Sequence, residues 1–202
     1  MKSKILTRLI MLCIILCIIL ALAGTMAAYN LTDSYGSYYK WNKNYSNPIY
    51  VDSSNLNSSW KSATVNAINM WNTGSNDANI SLVNQSGRIE CMMSAVPITD
   101  RHALAFVNYS TYTYYPSNQT FVISGIILRV NTSYTNWYTG TGTSSNNYSL
   151  QSVIAHELGH VLGLHHDDSY TNGLMRTTIG MGVARTVGSD EIAGLRAIYG
   201  RR

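Results

Sequence analysis

The segment His156-Glu-Leu-Gly-His160-Val-Leu-Gly-Leu-His165-His166 contains four of the five histidines of the 202-residue chain. Apolar residues recur through this region at the three- and four-residue spacing of an amphipathic helix; they are Leu150, Val153, Ile154, Leu158, Val161 and Leu162. The pattern predicts a helix that carries His156 and His160 on one face, because side chains four residues apart stack on the same side of a helix.

Two imidazoles on one helix face can bind the same metal ion. Glu157 lies one residue, about 100 degrees, round the helix from His156. Its carboxylate can therefore reach a metal-bound water without occupying a ligand position.

Gly163 stands three residues after His160, where the chain is expected to leave the helix and turn back. His166 is then free to approach the same ion from outside the helix, and His165 is the alternative third ligand. Three neutral imidazoles with one open position are typical of a catalytic zinc site, whereas structural zinc sites are closed.

The residues also predict a reaction. Zinc in such a site lowers the pKa of its water and polarises a carbonyl group. Glu157 is suited to remove the proton of that water as a general base and to return it to a leaving amine. The predicted chemistry is therefore amide hydrolysis.

The complete motif, H-E-x-x-H-x-x-G-x-x-H, resembles the zinc motif of the metzincin proteases, and it is formed by His156, Glu157, His160, Gly163 and His166. Met175 follows where those proteases place their Met-turn. The resemblance implies that this methionine lies beneath the zinc site and is not a ligand. It also selects His166 over His165 as the third ligand.

Among metzincins, the chain is most similar to the matrixins. The segment 189–200 resembles the closing helix of a matrixin catalytic domain, and a predicted helix from Trp60 to Trp71 falls where the first matrixin helix would. The segment 103–106 is similar to the edge strand that pairs with substrate. The resemblance implies an α+β, zincin-like fold, with a mixed twisted sheet, an active-site helix and a C-terminal helix.

The chain departs from the matrixin pattern in ways that limit what it implies. Asp167 follows the third histidine where matrixins usually have Ser, and Met175 leads into Arg176-Thr-Thr-Ile instead of a Pro-x-Tyr wall. Pocket specificity therefore does not carry over. Only His102 lies upstream as a ligand for a structural zinc, so one catalytic zinc is expected. Asn131 stands where an acidic calcium ligand is common, which argues against calcium.

The N-terminus predicts export. Lys2, Lys4 and Arg8 precede fourteen uncharged apolar residues, 9–22, and small residues follow. This arrangement is typical of a secretory signal peptide. The alternative is an uncleaved anchor, although the run is shorter than the roughly 20 residues of a spanning helix. We expect a signal peptide at 1–28 and one catalytic domain at 29–202, outside the cytoplasm.

Composition narrows the class of protein further. Without the three basic residues of the N-terminal segment, 11 Lys and Arg face 10 Asp and Glu. This near-neutral balance argues against a nucleic-acid binder. Cys91 is the one cysteine outside the N-terminal apolar run, so it has no intramolecular disulfide partner and is expected to be buried.

These observations predict a secreted zinc endopeptidase that acts on protein or peptide substrates as a monomer. Membrane association is expected only if the N-terminal segment stays uncleaved. One alternative is a non-catalytic, zinc-containing binding or adhesion domain on a metzincin scaffold, and a narrower one is a hydrolase of cell-wall peptides. The intact Glu157 favours an enzyme, because a binding domain has no use for a general base beside zinc.

Overall fold

The computed structural model describes residues 31, 36–72, 77–99 and 103–202. The predicted signal peptide at 1–28 and His102 lie outside these described residues. So does Gly74, which the sequence places to end the helix predicted at Trp60 to Trp71. Within them, no helix is long and apolar enough to cross a membrane.

The described residues form eight strands and three α-helices. The strands are β1 (Tyr38–Trp41), β2 (Ile49–Asp52), β3 (Leu82–Asn84), β4 (Cys91–Val96), β5 (Ala105–Tyr115), β6 (Thr120–Asn131), β7 (Trp137–Tyr138) and β8 (Tyr148–Ser149). The helices are α1 (Ser58–Asn72), α2 (Leu150–Val161) and α3 (Ser189–Tyr199).

The main sheet is mixed and centres on β6. Strand β6 pairs in parallel with β1 along its first residues and with β4 along its last, and it pairs in antiparallel fashion with β5. Strands β2 and β3 continue the sheet beyond β4. Within the described ranges β5 pairs with β6 alone, so its outer edge is open. Strands β7 and β8 form a separate parallel pair. The predicted α+β fold with a mixed sheet is confirmed.

Two indole groups fix the position of α2 in the core. Trp71 of α1 donates from Nε1 to the carbonyl of Ala155 at 2.9 Å, and Trp41 of β1 donates from Nε1 to the carbonyl of Val161 at 2.7 Å. Both indoles are buried. Because a buried N–H needs an acceptor, these bonds fix the place of α2 against its two neighbours. Cys91 is fully buried, as expected, and burial raises the pKa of its thiol to about 12.

The first helix confirms the periodicity but not its predicted cap. Its buried face includes Ala67 and Trp71, as the spacing predicts. Ser58 and Ser59 precede the periodic residues and predict a serine cap, but the cap is Asn57. The Oδ1 atom of Asn57 accepts hydrogen bonds from the Trp60 N–H at 3.0 Å and the Ser59 hydroxyl at 2.9 Å. Asn57 directly precedes the first helical residue, so its side-chain oxygen can reach the N–H of the third helical residue, Trp60.

The last helix also begins differently from the prediction. A serine directly before Asp190 and Glu191 predicts a cap at Ser189, but Gly188 is the N-cap residue and Ser189 is the first helical residue. Instead of a serine hydroxyl, the carboxylate of Glu191 accepts the Gly188 N–H, at 2.8 Å from its Oε2. The helix ends at Gly200, as predicted.

The Tyr and Thr residues and Pro116 in the segment from Tyr109 to Asn118 predict a surface loop, and this prediction is wrong. Strand β5 runs on to Tyr115, and only the 3-10 turn Pro116–Asn118 separates it from β6. Its tyrosines and threonines favour extended backbone when they can pack against a neighbouring strand. The register shifts around Thr111 opposite Gly125, and a glycine inside an apolar strand predicts such a bulge.

Candidate metal centre

Helix α2 carries the first part of the centre. The Ser149 Oγ caps it by accepting the Ser152 N–H. After the helix ends, Gly163 adopts a φ of +94°, and a Cβ there would lie 2.1 Å from the Tyr39 carbonyl oxygen. Both the left-handed backbone and the close approach require glycine. This turn reverses the chain and brings the residues that follow back toward α2.

Three imidazoles meet at one point. The Nε2 atom of His166 lies 3.1 Å from Nε2 of His156 and 3.1 Å from Nε2 of His160. His165 is directed elsewhere, since its ring lies against Tyr39 with centroids 5.4 Å apart. Among the described residues, the group that could hold a metal ion consists of His156, His160 and His166.

The hydrogen bonds of two rings define their tautomers. His156 donates from Nδ1 to the Leu174 carbonyl at 2.8 Å, and His160 donates from Nδ1 to the Leu164 carbonyl at 2.8 Å. A carbonyl oxygen only accepts, so the proton of each neutral ring is on Nδ1 and the lone pair is on Nε2. Both lone pairs are therefore directed at the place where Nε2 of His166 also arrives.

This arrangement fits a zinc ion. The Nε2 atom of His166 can donate one proton at most when its ring is neutral, so it cannot satisfy both of the other lone pairs. A cation between the three nitrogens removes the repulsion. Zn–N bonds of about 2.0–2.1 Å at tetrahedral angles place two nitrogens about 3.3 Å apart, close to the 3.1 Å separations found here. Three ligands leave the fourth position open.

Burial keeps these rings neutral. It lowers the pKa of His156 to about 4 and holds the pKa of His160 well below its usual value. It lowers the pKa of His166 as well, although the charge of Asp168 opposes the effect. Because a histidine binds metal only when it is neutral, the centre is ready to bind a cation at neutral pH.

Glu157 directly follows His156 in the sequence, and it is buried. Its side chain is 6% exposed, and burial raises its pKa to about 8. Within the described structure its Oε2 atom has no hydrogen-bond partner. A buried polar oxygen without a donor is costly to a fold, and such an atom is expected where a water or a ligand supplies the missing donor.

Met175 lies directly under the helix that carries the histidines. A Cβ added to Gly159 would lie 2.2 Å from its Sδ atom, so this pair can pack closely only because residue 159 is glycine. The main chain around Met175 is fixed at both ends: Asp167 donates its N–H to the Met175 carbonyl at 2.9 Å, and Glu191 accepts the N–H of Leu174 at 2.6 Å and of Met175 at 3.3 Å.

Glu191 supports the site in a way that the sequence pattern does not predict. The buried carboxylate joins α3 to the turn that supplies the Leu174 carbonyl, and this carbonyl in turn orients His156. The only local signal was an acidic residue in the first turn of the last helix, which helix-dipole arguments explain without any reference to the site.

Two aspartates near the cluster organise the loop that surrounds it. Asp167 accepts the Ser169 N–H at 2.8 Å. Asp168 accepts the N–H and the hydroxyl of Thr177 at 3.1 and 2.7 Å. Both aspartates therefore accept hydrogen bonds from the loop itself.

Asn131 fixes the segments on either side of residues 100–102. It is fully buried, its Oδ1 accepts the N–H of Ile98 at 3.0 Å and of Ser133 at 2.9 Å, and its Nδ2 donates to the Ala103 carbonyl at 2.9 Å. A neutral amide that both donates and accepts therefore occupies a position where an acidic calcium ligand is common in the matrixins that the sequence resembles.

A cavity of about 290 Å³ opens next to the cluster. Its walls come from the start of β5, from two tyrosines, and from α2 and the segment after Met175; they are Ala103, Leu104, Ala105, Tyr134, Tyr148, Val153, His156, His166, Arg176, Thr177, Thr178 and Ile179. The cavity therefore lies between the open edge of the sheet and the chain that follows the methionine turn, and it has room for one large side chain.

A comparison with protein families identifies the chain by its catalytic region. The family model described as matrixin matches residues 52–200, which is 149 of the 202 residues. A search of curated proteins finds no match to the chain.

Proposed function

Because the chain belongs to the matrixin family, whose members normally bind a catalytic zinc ion, we propose that it is a secreted zinc endopeptidase with Glu157 as its general base. Family membership supports a metalloprotease that acts on protein or peptide substrates. The observation that carries the proposal for this chain is the convergence of three Nε2 atoms, two of which present lone pairs.

In this proposal the zinc ligands are His156, His160 and His166. Zinc bound there supplies a Lewis acid that polarises the scissile carbonyl and lowers the pKa of a water. The Leu174 and Leu164 carbonyls hold the two α2 imidazoles in the tautomer that presents Nε2. Such outer hydrogen bonds orient ligands and raise their basicity.

Glu157 moves the proton. Its carboxylate takes a proton from the attacking water and delivers it to the nitrogen of the leaving amine. Without a metal ion, burial raises the pKa of this carboxyl to about 8, and the charge of a zinc ion in the centre would favour the ionised form that acts as the base. A carboxylate of raised proton affinity accepts a proton from water more readily than an exposed one does.

The open edge of β5 is the proposed binding site for the substrate backbone. A peptide in extended conformation can add to an open strand through main-chain hydrogen bonds. The cavity beside His156 and His166 is lined by Ala103 and Leu104, which lead into this strand, and by Ala105, its first residue. A peptide on β5 would therefore carry its backbone past the histidines and one side chain into the cavity.

We also propose that residues 29–202 form the catalytic domain and that it works outside the cytoplasm. The support is the N-terminal sequence alone, in which basic residues precede an uncharged apolar run of signal-peptide length.

The test is hydrolysis of an unfolded protein by the purified enzyme with zinc, with a chelator, and after chelation followed by zinc. We expect cleavage that the chelator abolishes and zinc restores. Glu157→Gln should bind zinc but lose activity by about two orders of magnitude or more, because general-base catalysis contributes on that order.

Glu90→Gln is the matched control, since Glu90 lies outside the cavity and binds Lys43 and the Tyr50 N–H. It should cleave as the wild type does. If wild type binds zinc but cleaves no protein or peptide substrate, the endopeptidase proposal is wrong and a zinc-containing binding domain takes its place.

A further inference from the structure

Arg176 is a charged residue in a cavity that the proposed mechanism leaves unexplained. It follows Met175 directly and lines the same cavity as His156 and His166. Its side chain is about one quarter exposed, at 27%. A guanidinium is therefore partly withdrawn from water at the place where a substrate side chain would enter.

The hydrogen bonds of this guanidinium are incomplete. Its Nη1 atom donates to the Thr171 carbonyl at 3.3 Å. Its buried Nε atom is 3.5 Å from the Oδ1 atom of Asp168, and among the described residues it makes no hydrogen bond. Guanidinium N–H groups that lie in a fixed fork match a carboxylate with two parallel bonds, so the unused donors favour a further acidic partner.

Asp168 neutralises Arg176 only in part. Its two oxygens already accept the N–H and the hydroxyl of Thr177. The Asp168 side chain is also 54% exposed, so water screens its charge. The attraction between the two side chains is accordingly weak.

A second guanidinium adds to the positive charge. Arg185 is half-buried, and in the described structure its hydrogen bonds are those of its main chain with the Ser152 hydroxyl. Burial lowers the pKa of Arg185, and the charge of Arg176 lowers it further. The other carboxylate of this region, Glu191, accepts the three main-chain N–H groups of Leu174, Met175 and Gly188. The surroundings of Arg176, which lines the cavity, therefore contain a second guanidinium, one exposed carboxylate and one carboxylate that main-chain donors occupy.

We propose that this cavity selects peptides that carry Asp or Glu at a position next to the cleaved bond, and that Arg176 determines the selection. The inference rests on the proposed endopeptidase function and specifies its substrate class. The substrate carboxylate occupies the cavity and accepts hydrogen bonds from Arg176, while Arg185 contributes attraction without a required contact.

The experiment uses zinc-loaded enzyme and two sets of peptides that place Glu, Gln, Leu or Lys on one side or the other of the cleaved bond. For one of the two positions we expect kcat/KM to be about tenfold or more higher with Glu than with Gln, since a charge-assisted hydrogen bond in a partly desolvated site has at least that effect. Arg176→Gln should remove the preference, and Arg176→Lys should keep part of it.

Arg88→Gln is the matched control, because Arg88 stacks on Tyr50 and is not part of the cavity wall. It should leave the preference for Glu unchanged. A thermal melt of each variant establishes that it is folded. Equal kcat/KM for Glu and Gln at both positions, or a preference for Glu that survives in Arg176→Gln, overturns the inference.

Peptide binding separates this inference from the proposed function. Fluorescence anisotropy with zinc-loaded Glu157→Gln measures the affinity for fluorescent Glu and Gln peptides without cleavage. We expect the Glu peptide to bind about tenfold or more tightly, and the difference to disappear when Arg176→Gln is added. If the wild type cleaves nothing but this difference is found, the selection stands and the endopeptidase function fails. If the wild type cleaves peptides but neither readout favours Glu, the function stands and the selection is wrong.

Discussion

The positions of individual atoms in the centre support metal binding more strongly than the motif does. A sequence with the same spacing could place its histidines on a solvated surface, whereas here the Nδ1 atoms of His156 and His160 are each committed to a main-chain carbonyl. Their lone pairs can therefore face only the shared point. Glu157 adds a buried carboxyl that has an oxygen without a donor. Both features cost stability in the absence of a ligand, and such costs are expected where a structure is arranged for function.

The buried carboxyl predicts how the stability of the metal-free protein depends on pH. The pKa of Glu157 is raised from 4.5 to about 8 in the folded state. Between these pH values the unfolded chain gives up this proton and the folded chain keeps it, so stability falls as pH rises through this window. Glu157→Gln has no such proton to lose. Between pH 5 and pH 8 the free energy of unfolding of the variant should therefore rise relative to that of wild type by roughly 3 to 5 kcal/mol.

Urea unfolding of both metal-free proteins at the two pH values measures this difference. The histidines are common to both proteins, so their own pH dependence cancels in the comparison. A gap between variant and wild type that stays constant from pH 5 to pH 8 would show that the folded carboxyl titrates near its ordinary pKa.

Among the elements, α3 has a larger part in the site than its distance along the chain indicates. Its Glu191 side chain is 2% exposed and accepts three main-chain N–H groups, two of which belong to the turn under the histidines. The turn carries the Leu174 carbonyl that orients His156. The last helix therefore supports the ligand geometry through one carboxylate.

Glu191→Ala should accordingly lower the free energy of unfolding by about 3 to 5 kcal/mol, because it leaves buried N–H groups without an acceptor. It should also weaken zinc binding about 10- to 100-fold, as the loss of an outer hydrogen bond to a ligand does. The neighbouring Asp190→Ala is the control and should change zinc affinity little. The measurements are urea unfolding and zinc titration. Unchanged zinc affinity in Glu191→Ala would show that the carboxylate stabilises α3 without supporting the site.

The elements also show which parts of the fold a sequence can predict. Helix α2 was predictable because its periodicity, its histidine spacing and Gly163 all favour the same local structure. The N-caps of α1 and α3, Asn57 and Gly188, each lie one residue before the serine that residue type predicts. The geometry of the incoming chain determines a cap as much as residue type does. The length of β5 was missed because its tyrosines are stabilised by rings that are distant in sequence, as in the stack of Tyr109 on Tyr39.

In the molecule as a whole, the site forms where three separate parts of the chain meet. The zinc-binding motif was readable because His156, His160 and His166 lie within eleven residues. The contacts of Glu191 with Leu174 and of Asn131 with Ala103 could not be predicted, because they span 17 and 28 residues and produce no periodic pattern in the sequence. The charge of the cavity could not be predicted either, because it depends on how Arg176 lies relative to Asp168 and Arg185 in the fold.

The central claim is that His156, His160 and His166 hold one zinc ion, and the adjacent histidines His165 and His166 test it most directly. Zinc content per chain is measured after dialysis for wild type, His166→Gln and His165→Gln. The account predicts one zinc in wild type and in His165→Gln, and a loss of zinc in His166→Gln, because only the Nε2 atom of His166 reaches the other two. Full zinc in His166→Gln, with loss in His165→Gln, would contradict it.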